Sequence, residues 1–298
     1  MVSPSSSSAS ADSASRPPRA VPPLAASRWS RRLREAARLV LPVSCAGCGR
    51  WDVELCPNCR SLLAGTLASV EHAEAAGTLE VRAVAAYAGP VRHMVLGWKN
   101  GAREDLTGFM DETGIRAGRL WARSLDEETR TVVGAGPLLV VPAPSGWLRR
   151  ARGRLVAAPL ADAVARGAAA GWPRPDGAPR GGGGRALDVL SADLLRRPRF
   201  TGGAHQAGRS ARQRRINRAD PPRVLAPVSG LAILLVDDVV TTGATLGACA
   251  RALRDAGARV IGALVVAATP PPVRRRGSTV PGGPVPEPDD QIAIGSRR

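Results

Sequence analysis

One stretch constrains this chain more than any other: Ile233-Leu234-Leu235-Val236-Asp237-Asp238-Val239-Val240-Thr241-Thr242-Gly243-Ala244-Thr245. Four apolar, largely branched residues predict a short strand buried on both faces, ended by two adjacent carboxylates. A turn of Thr and Gly follows, and 244–256, rich in Ala and Leu, continues as a helix closed by Gly257. In a parallel α/β sheet, ligands collect beyond the carboxyl ends of the strands, where a helix N-terminus presents free N–H groups and the positive end of its dipole. The loop 241–245 is therefore suited to one phosphate, with Gly243 allowing close backbone approach and the Thr hydroxyls adding donors. Asp237 and Asp238, one loop away, are placed to accept hydrogen bonds from vicinal hydroxyls or to face a divalent cation. A phosphate and a diol so arranged describe a ribose 5-phosphate.

The order apolar run, Asp-Asp, Val, x, Thr-Thr-Gly-x-Thr resembles the signature of type I phosphoribosyltransferases, which bind phosphoribosyl pyrophosphate with Mg²⁺. That resemblance implies that Asp237 and Asp238 take the ribose hydroxyls and that Thr241, Thr242, Gly243, Ala244 and Thr245 take the 5-phosphate. Two other readings compete. The metal-side strand of a P-loop NTPase needs Gly-x-x-x-x-Gly-Lys-Ser/Thr elsewhere, and Lys99, the only lysine, lies outside any such pattern. A βα turn with chance acids is the other, but simple turn chemistry does not require two carboxylates before Thr-Thr-Gly.

Length and charge set the outer bounds. The 298 residues allow one or two domains, and a formal net charge of +17 points toward polyanions. The basic residues are nearly all arginine amid abundant Ala, Gly and Pro, which is what codon bias in a GC-rich genome produces, so the charge carries only part of its usual weight. Two Phe and one Tyr leave few platforms for stacking bases. Residues 1–29 lack any periodic apolar pattern and are expected to be disordered, as is the Pro, Gly and Arg tail from 269. No apolar run follows a basic start as in a secretory signal, and none reaches the roughly 18 residues of a membrane span. A cytoplasmic protein is expected.

Cys45-Ala-Gly-Cys48 and Cys56-Pro-Asn-Cys59 form two Cys-x-x-Cys knuckles. Each short turn directs two sulfurs at one centre, the tetrahedral set that Zn²⁺ prefers, and four thiolates leave no open position, so a structural ion is expected. A disulfide pair is the alternative, disfavoured in a reducing cytosol. Cys249 is expected to pack in the helix after the phosphate loop. His72, His93 and His205 are expected to be ordinary surface or partly buried residues, isolated from the knuckles.

Elsewhere the pattern predicts an amphipathic helix over 30–41 and a strand over 79–87. A helix carrying Val91, Val95 and Trp98 into Lys99 follows. A lysine that survives in so arginine-rich a chain marks a site needing a compact ammonium, or else chance. A helix over 103–125 is expected to bury Leu106, Phe109, Met110, Ile115 and Leu120. The strand 137–142 runs into Pro142-Ala143-Pro144, where type I phosphoribosyltransferases receive pyrophosphate. Arg149, Arg150, Arg152 and Arg154 follow, as a polyphosphate contact or a solvated face, and a helix is expected over 155–166. A Gly/Pro insertion over 171–186, a short strand over 188–190, a basic helix over 206–217 with Arg214 and Arg215, and a last strand over 259–267 complete the reading.

Taken in order, the four-cysteine module, Tyr87-x-Gly89 with its lysine, Val-Pro-x-Pro at 141–144, and Gln206-x-Gly208-x-Ser210 with Arg214, Arg215 and Asn217 resemble the ComF family over residues 33–268. One element departs: where that family carries Arg-Gly-Phe-Asn-Gln, this chain has Arg152-Gly153-Arg154-Leu155-Val156. The resemblance implies a mainly parallel α/β fold of the type I phosphoribosyltransferase kind over 76–268, with a helix and zinc module over 30–75. It also implies binding of phosphoribosyl pyrophosphate or a related phosphosugar, in a role accessory to DNA uptake with single-stranded DNA and competence proteins as partners. Two alternatives stay open: a catalytically active transferase (a glycosyltransferase moving phosphoribose to an amine or nucleobase), and a zinc-containing phosphosugar sensor without DNA contact.

Overall fold

The computed structural model describes residues 43–144, 156–173, 187–197 and 221–271. The expected disordered ends, the helix over 30–41, Arg149, Arg150, Arg152 and Arg154, residues 174–186 of the Gly/Pro insertion, His205, and the basic stretch with Arg214 and Arg215 lie outside the described residues.

In chain order the elements are helix α1 (Pro57–Ser61), strand β1 (Ala68–Ser69), a 3₁₀ turn (Glu74–Ala76), β2 (Val81–Ala86) and α2 (Gly89–Lys99). A second 3₁₀ turn (Glu104–Leu106) leads into α3 (Thr107–Ser124), α4 (Glu127–Gly134), β3 (Leu138–Pro142) and α5 (Ala157–Gly171). Then come β4 (Val189–Ser191), β5 (Leu195–Arg196), β6 (Arg223–Val224), β7 (Ala232–Val240), α6 (Ala244–Asp255) and β8 (Arg259–Ala268). The main sheet runs in the order β1-β2-β8-β7-β3-β4 and is parallel except for the β1–β2 edge. Strands β5 and β6 form a separate antiparallel pair.

The buried strands sort their side chains by simple alternation. Leu138, Val140, Leu234, Val236, Leu264 and Val266 enter one core with α2, α3 and α5. Leu139, Val141, Ile233, Leu235, Ala263 and Val265 enter the other with α6. Helix α6 supplies Leu246, Cys249, Ala250 and Leu253, one stripe at helical spacing. It ends as expected at Gly257, whose φ of +85° lets Gly257 N–H reach the Arg254 carbonyl and Ala258 N–H reach that of Leu253. Burying each such leucine contributes about 1.5–3 kcal/mol.

Helix α3 buries a different face from the expected one. Met110 and Leu106 are buried, but Ile115 and Leu120 are only partly so, and the inner stripe is Thr113, Gly114, Ala117, Gly118, Trp121 and Ala122. The reason is the backbone approach of α5: a Cβ on Gly118 would lie 2.2 Å from the Val164 carbonyl oxygen, and one on Gly167 would lie 2.0 Å from that of Ile115. Small residues here serve contact between main chains, which a search for large apolar side chains overlooks.

Helix α4 has no counterpart in the sequence reading. Its start is set by Asp126, whose carboxylate accepts from Thr129 N–H at 2.7 Å, with Glu127 and Glu128 in the first turn favoured by the helix dipole.

Candidate functional site

The sheet reverses its direction of winding between β3 and β7. From β3 the chain passes through α5 outward to β4, and from β7 through α6 the opposite way to β8, which makes the β3–β7 boundary the switch point where such sheets hold ligands. The strands also end unevenly. Pairing of β3 with β7 stops at Pro142–Val236, whereas β7 continues along β8 to Val240–Ala268. Asp237 and Asp238 therefore lie inside a longer strand than the four-residue one expected, paired on one side and open on the side that β3 has vacated. The reason is Pro142-Ala143-Pro144: after Ala143 N–H bonds the Val236 carbonyl, the prolines cannot extend the ladder.

The open edge leaves an orphan. Val236 is the last β7 residue bonded to the β3 side, so the next main-chain N–H on that edge belongs to Asp238. The Asp237 carboxylate accepts it at 2.8 Å. Being consecutive in a strand, the two acids face opposite layers. Asp238 is 4% exposed and faces α2, where the Lys99 ammonium contacts both its oxygens, at 2.7 and 2.5 Å. Asp237 faces α6. Burial, then the negative charge of Asp238, pushes its carboxyl up to about 7, against the opposing pull of the Asp238 N–H and Lys99. The same carboxylate, after burial, helps push the Cys249 thiol up to about 12, so this buried cysteine is a packing group, as expected.

A cleft of about 150 Å³ opens at this edge, lined by Lys99, Ala143, Pro144, Val156, Ala157, Arg197, Asp237, Asp238, Val239 and Thr245. Six of the expected residues meet in it: Lys99, Ala143, Pro144, Asp237, Asp238 and Thr245. Pro142 stays in the buried strand, and Thr241 and Thr242 are exposed on the loop beside it. Gly243, at φ +80°, turns the chain into α6. Above it there is no room for a side chain, since a Cβ would lie 2.8 Å from the Ala76 methyl and one on Gly247 would lie 2.2 Å from the Ala75 carbonyl oxygen. The 3₁₀ turn thus clamps the loop, and Ala75 N–H bonds the Thr242 carbonyl at 3.0 Å. His72 bonds the Thr269 carbonyl beside it.

Arg197, Val156 and Ala157 were not expected here. Arg197 bonds Pro144 and Thr245, which are 53 and 48 positions away in sequence, and nothing distinguishes it from the many other arginines until the sheet assembles.

The cysteine cluster stands apart from the cleft. The four Sγ atoms of Cys45, Cys48, Cys56 and Cys59 lie within 4.8 Å of one another, and those of Cys48 and Cys56 are 3.7 Å apart. Sulfurs around a tetrahedral Zn²⁺ at about 2.3 Å are roughly 3.8 Å apart, so the set fits that ion with no donor left over. Gly47 makes the fit feasible: a Cβ there would lie 2.6 Å from Cys59 Sγ. Burial works against charge on Cys45, but N–H groups of Cys56, Cys48 and Gly47 outweigh it and bring the thiol down to about 6. Burial, then hydrogen bonds with the other three sulfurs, raises Cys59. The lowered Cys45 thiol is a ready first ligand for a cation.

This module is pinned to the main fold. Arg103 donates to the Ser44 and Glu54 carbonyls at 2.9 and 2.7 Å while Asp105 holds its Nε at 2.9 Å. Arg60 lies 4.7 Å from the Phe109 ring centroid. His93 corrects an expectation: far from being isolated from the knuckles, it donates from Nδ1 to the Gly47 carbonyl at 3.0 Å. It sits on α2, whose other end carries Lys99.

Among the described residues no helix is long and apolar enough to cross a membrane. No curated protein matches the chain. Residues 157–281 match the family model of the phosphoribosyl transferase domain, a span that begins at α5 and takes in β7, the acid pair, α6 and β8. Residues 157–281 are thus similar to that domain, and the mostly parallel six-stranded sheet gives a fold of the phosphoribosyltransferase type.

Proposed function

We propose that the cleft binds phosphoribosyl pyrophosphate or a closely related phosphosugar. The observation that carries this reading is the meeting, at the β3–β7 switch point, of the acid pair with the first turn of α6 at Thr245 and with two cations, Lys99 and Arg197. In this reading the ribose hydroxyls lie against Asp237 and Asp238. The 5-phosphate settles on the loop 241–245, and the pyrophosphate lies toward Ala143 and Pro144. Mg²⁺ enters with the pyrophosphate and spreads its charge. For the cysteines the reading is a structural Zn²⁺ held by Cys45, Cys48, Cys56 and Cys59.

Ligand binding needs Lys99 to share Asp238. A diol presenting two hydroxyl donors to the acid pair competes with Lys99 for the Asp238 oxygens, and the ammonium then also faces the anionic end of the ligand.

Catalytic transfer is the second reading, favoured by the Asp237 carboxyl near 7. An amine acceptor would attack C1 of the ribose as the bond from C1 to the pyrophosphate oxygen breaks and the leaving group takes the electron pair. The proton shed by the amine would pass to a base poised near neutral pH, for which Asp237 is suited. A role accessory to DNA uptake rests on the ComF-like order of motifs alone, since the basic stretches on which DNA contact would depend lie outside the described residues.

Calorimetric titration of phosphoribosyl pyrophosphate with Mg²⁺ into the wild type and the Asp237→Asn/Asp238→Asn variant tests the reading. Binding to the wild type, lost in the variant, is expected. A folded, metal-loaded wild type that binds nothing overturns it and leaves the acid pair as scaffold.

A further inference from the structure

The cations around the cleft are not equivalent. Lys99 is neutralised by Asp238, which it grips through both oxygens. Arg196, one position before the cleft arginine, is held by Asp193 at 2.7 Å and bonds the Leu195 carbonyl. Arg197 differs from both. Among the described residues its partners are neutral and distant: Nε donates to the Pro144 carbonyl at 3.2 Å and Nη2 to the Thr245 hydroxyl at 3.4 Å. Its guanidinium is a full charge spanning the two walls of the cleft, one wall being the loop after β3 and the other the first turn of α6.

Its main chain is anchored by its neighbours. Leu195 is fully buried, and both Leu195 and Arg196 pair with β6, so Arg197 directly follows an anchored strand. Thr245 is the second residue of α6, where the main-chain N–H groups have no partner within the helix. An anion settling there meets those N–H groups and the Nη edge of Arg197 together. The two long bonds of Arg197 to neutral oxygens are exchanged for charge-assisted ones, roughly twice as strong.

We propose that Arg197 is the specificity-determining cation of this site: it holds the phosphate at the Thr245 end of a sugar phosphate, opposite the Lys99 end, and makes an anionic group at that position a condition of binding. The inference deepens the phosphosugar reading and rests on it. A planar fork with several N–H groups suits a phosphate oxygen pair, whereas an ammonium offers a point charge on a more flexible stem, so Lys does not replace Arg here.

The test titrates three probes, ribose 5-phosphate, ribose and inorganic pyrophosphate, each with Mg²⁺, into the full-length wild type, Arg197→Ala and Arg197→Lys. The wild type is expected to prefer ribose 5-phosphate to ribose. In Arg197→Ala the affinity for ribose 5-phosphate falls about 10- to 100-fold, on the scale of losing a hydrogen-bonded charge. In Arg197→Lys it falls at least about fivefold, while binding of pyrophosphate falls clearly less than that of ribose 5-phosphate and thermal stability stays near wild type in both. Unchanged affinity for ribose 5-phosphate in Arg197→Ala overturns the proposal. So do equal losses for ribose 5-phosphate and pyrophosphate, which make Arg197 a general source of field. A wild type that binds no probe overturns the cleft reading first, and this inference with it; binding in the wild type with an indifferent Arg197→Ala overturns this inference alone.

Discussion

The cysteine module and the cleft gather reactive side chains by opposite means. In the module, four thiols come from fifteen consecutive residues, and local turns aim them at one point, with Gly47 cleared to make room. In the cleft, the lining side chains come from positions as far apart as Lys99 and Thr245, and no local rule brings them together. The module takes its shape from local turns around its centre, while Cys45, Cys56, Cys59 and Leu63 tie it to the apolar core. The cleft depends on the sheet beneath it, whose strands are buried on both faces.

The largest effect is expected from emptying the module. Cys59→Ser should lose one metal equivalent and destabilise residues 43–66 strongly, because a structural Zn²⁺ supplies on the order of 10 kcal/mol to such small sites. Metal analysis with hydrogen exchange checks this: rapid exchange over 43–66 with a protected sheet sharpens the contrast, and a fully protected module without metal breaks it. Next comes the opposite case, a defect in the main fold far from both sites. Gly167→Ala places a methyl where the Ile115 carbonyl oxygen stands, 2.0 Å away. Forcing two packed main chains apart should cost about 3 kcal/mol in urea unfolding. A change under about 0.5 kcal/mol would show that the helix pair yields where the packing says it cannot.

The third effect belongs to the cleft and depends on pH. A carboxyl near 7 in the folded chain and about 3.9 unfolded binds its proton more tightly when folded. That contribution is present at acid pH and is lost as pH rises from about 4 to about 7. Asp237→Asn keeps an oxygen for the Asp238 N–H and removes the titration, so it should match the wild type below about pH 4 and become progressively more stable than it as pH rises to about 7. Parallel pH profiles for the two proteins would mean that Asp237 is not held in the environment described.

This contrast also explains what could be read in advance. Chemistry written in adjacent residues was legible: the paired Cys-x-x-Cys turns, the apolar strand before Asp-Asp, the Thr-Gly turn and the helix closed at Gly257. Elements with strong apolar periodicity were legible too, as β3 and α2 show. The length of β7 was not, because where a strand stops depends on its neighbour, and the neighbour's prolines lie nearly a hundred residues upstream. The glycine face of α3 escaped because small residues signal packing only once a partner helix is known. Arg197 escaped because its meaning is its position, and His93 because its partner is a main-chain carbonyl that no motif records.

Helix α2 joins the two regions in a way that neither shows alone. His93 holds the Gly47 carbonyl between two of the cysteines, and six residues later Lys99 holds Asp238. Those six residues of helix measure about 9 Å and do not stretch. The helix is a strut of set length between the cysteine cluster and the acid pair, with a hydrogen bond at one end and an ion pair at the other. The module and the cleft are thereby referred to one element, and the spacing between the Gly47 and Asp238 contacts is that of the helix itself.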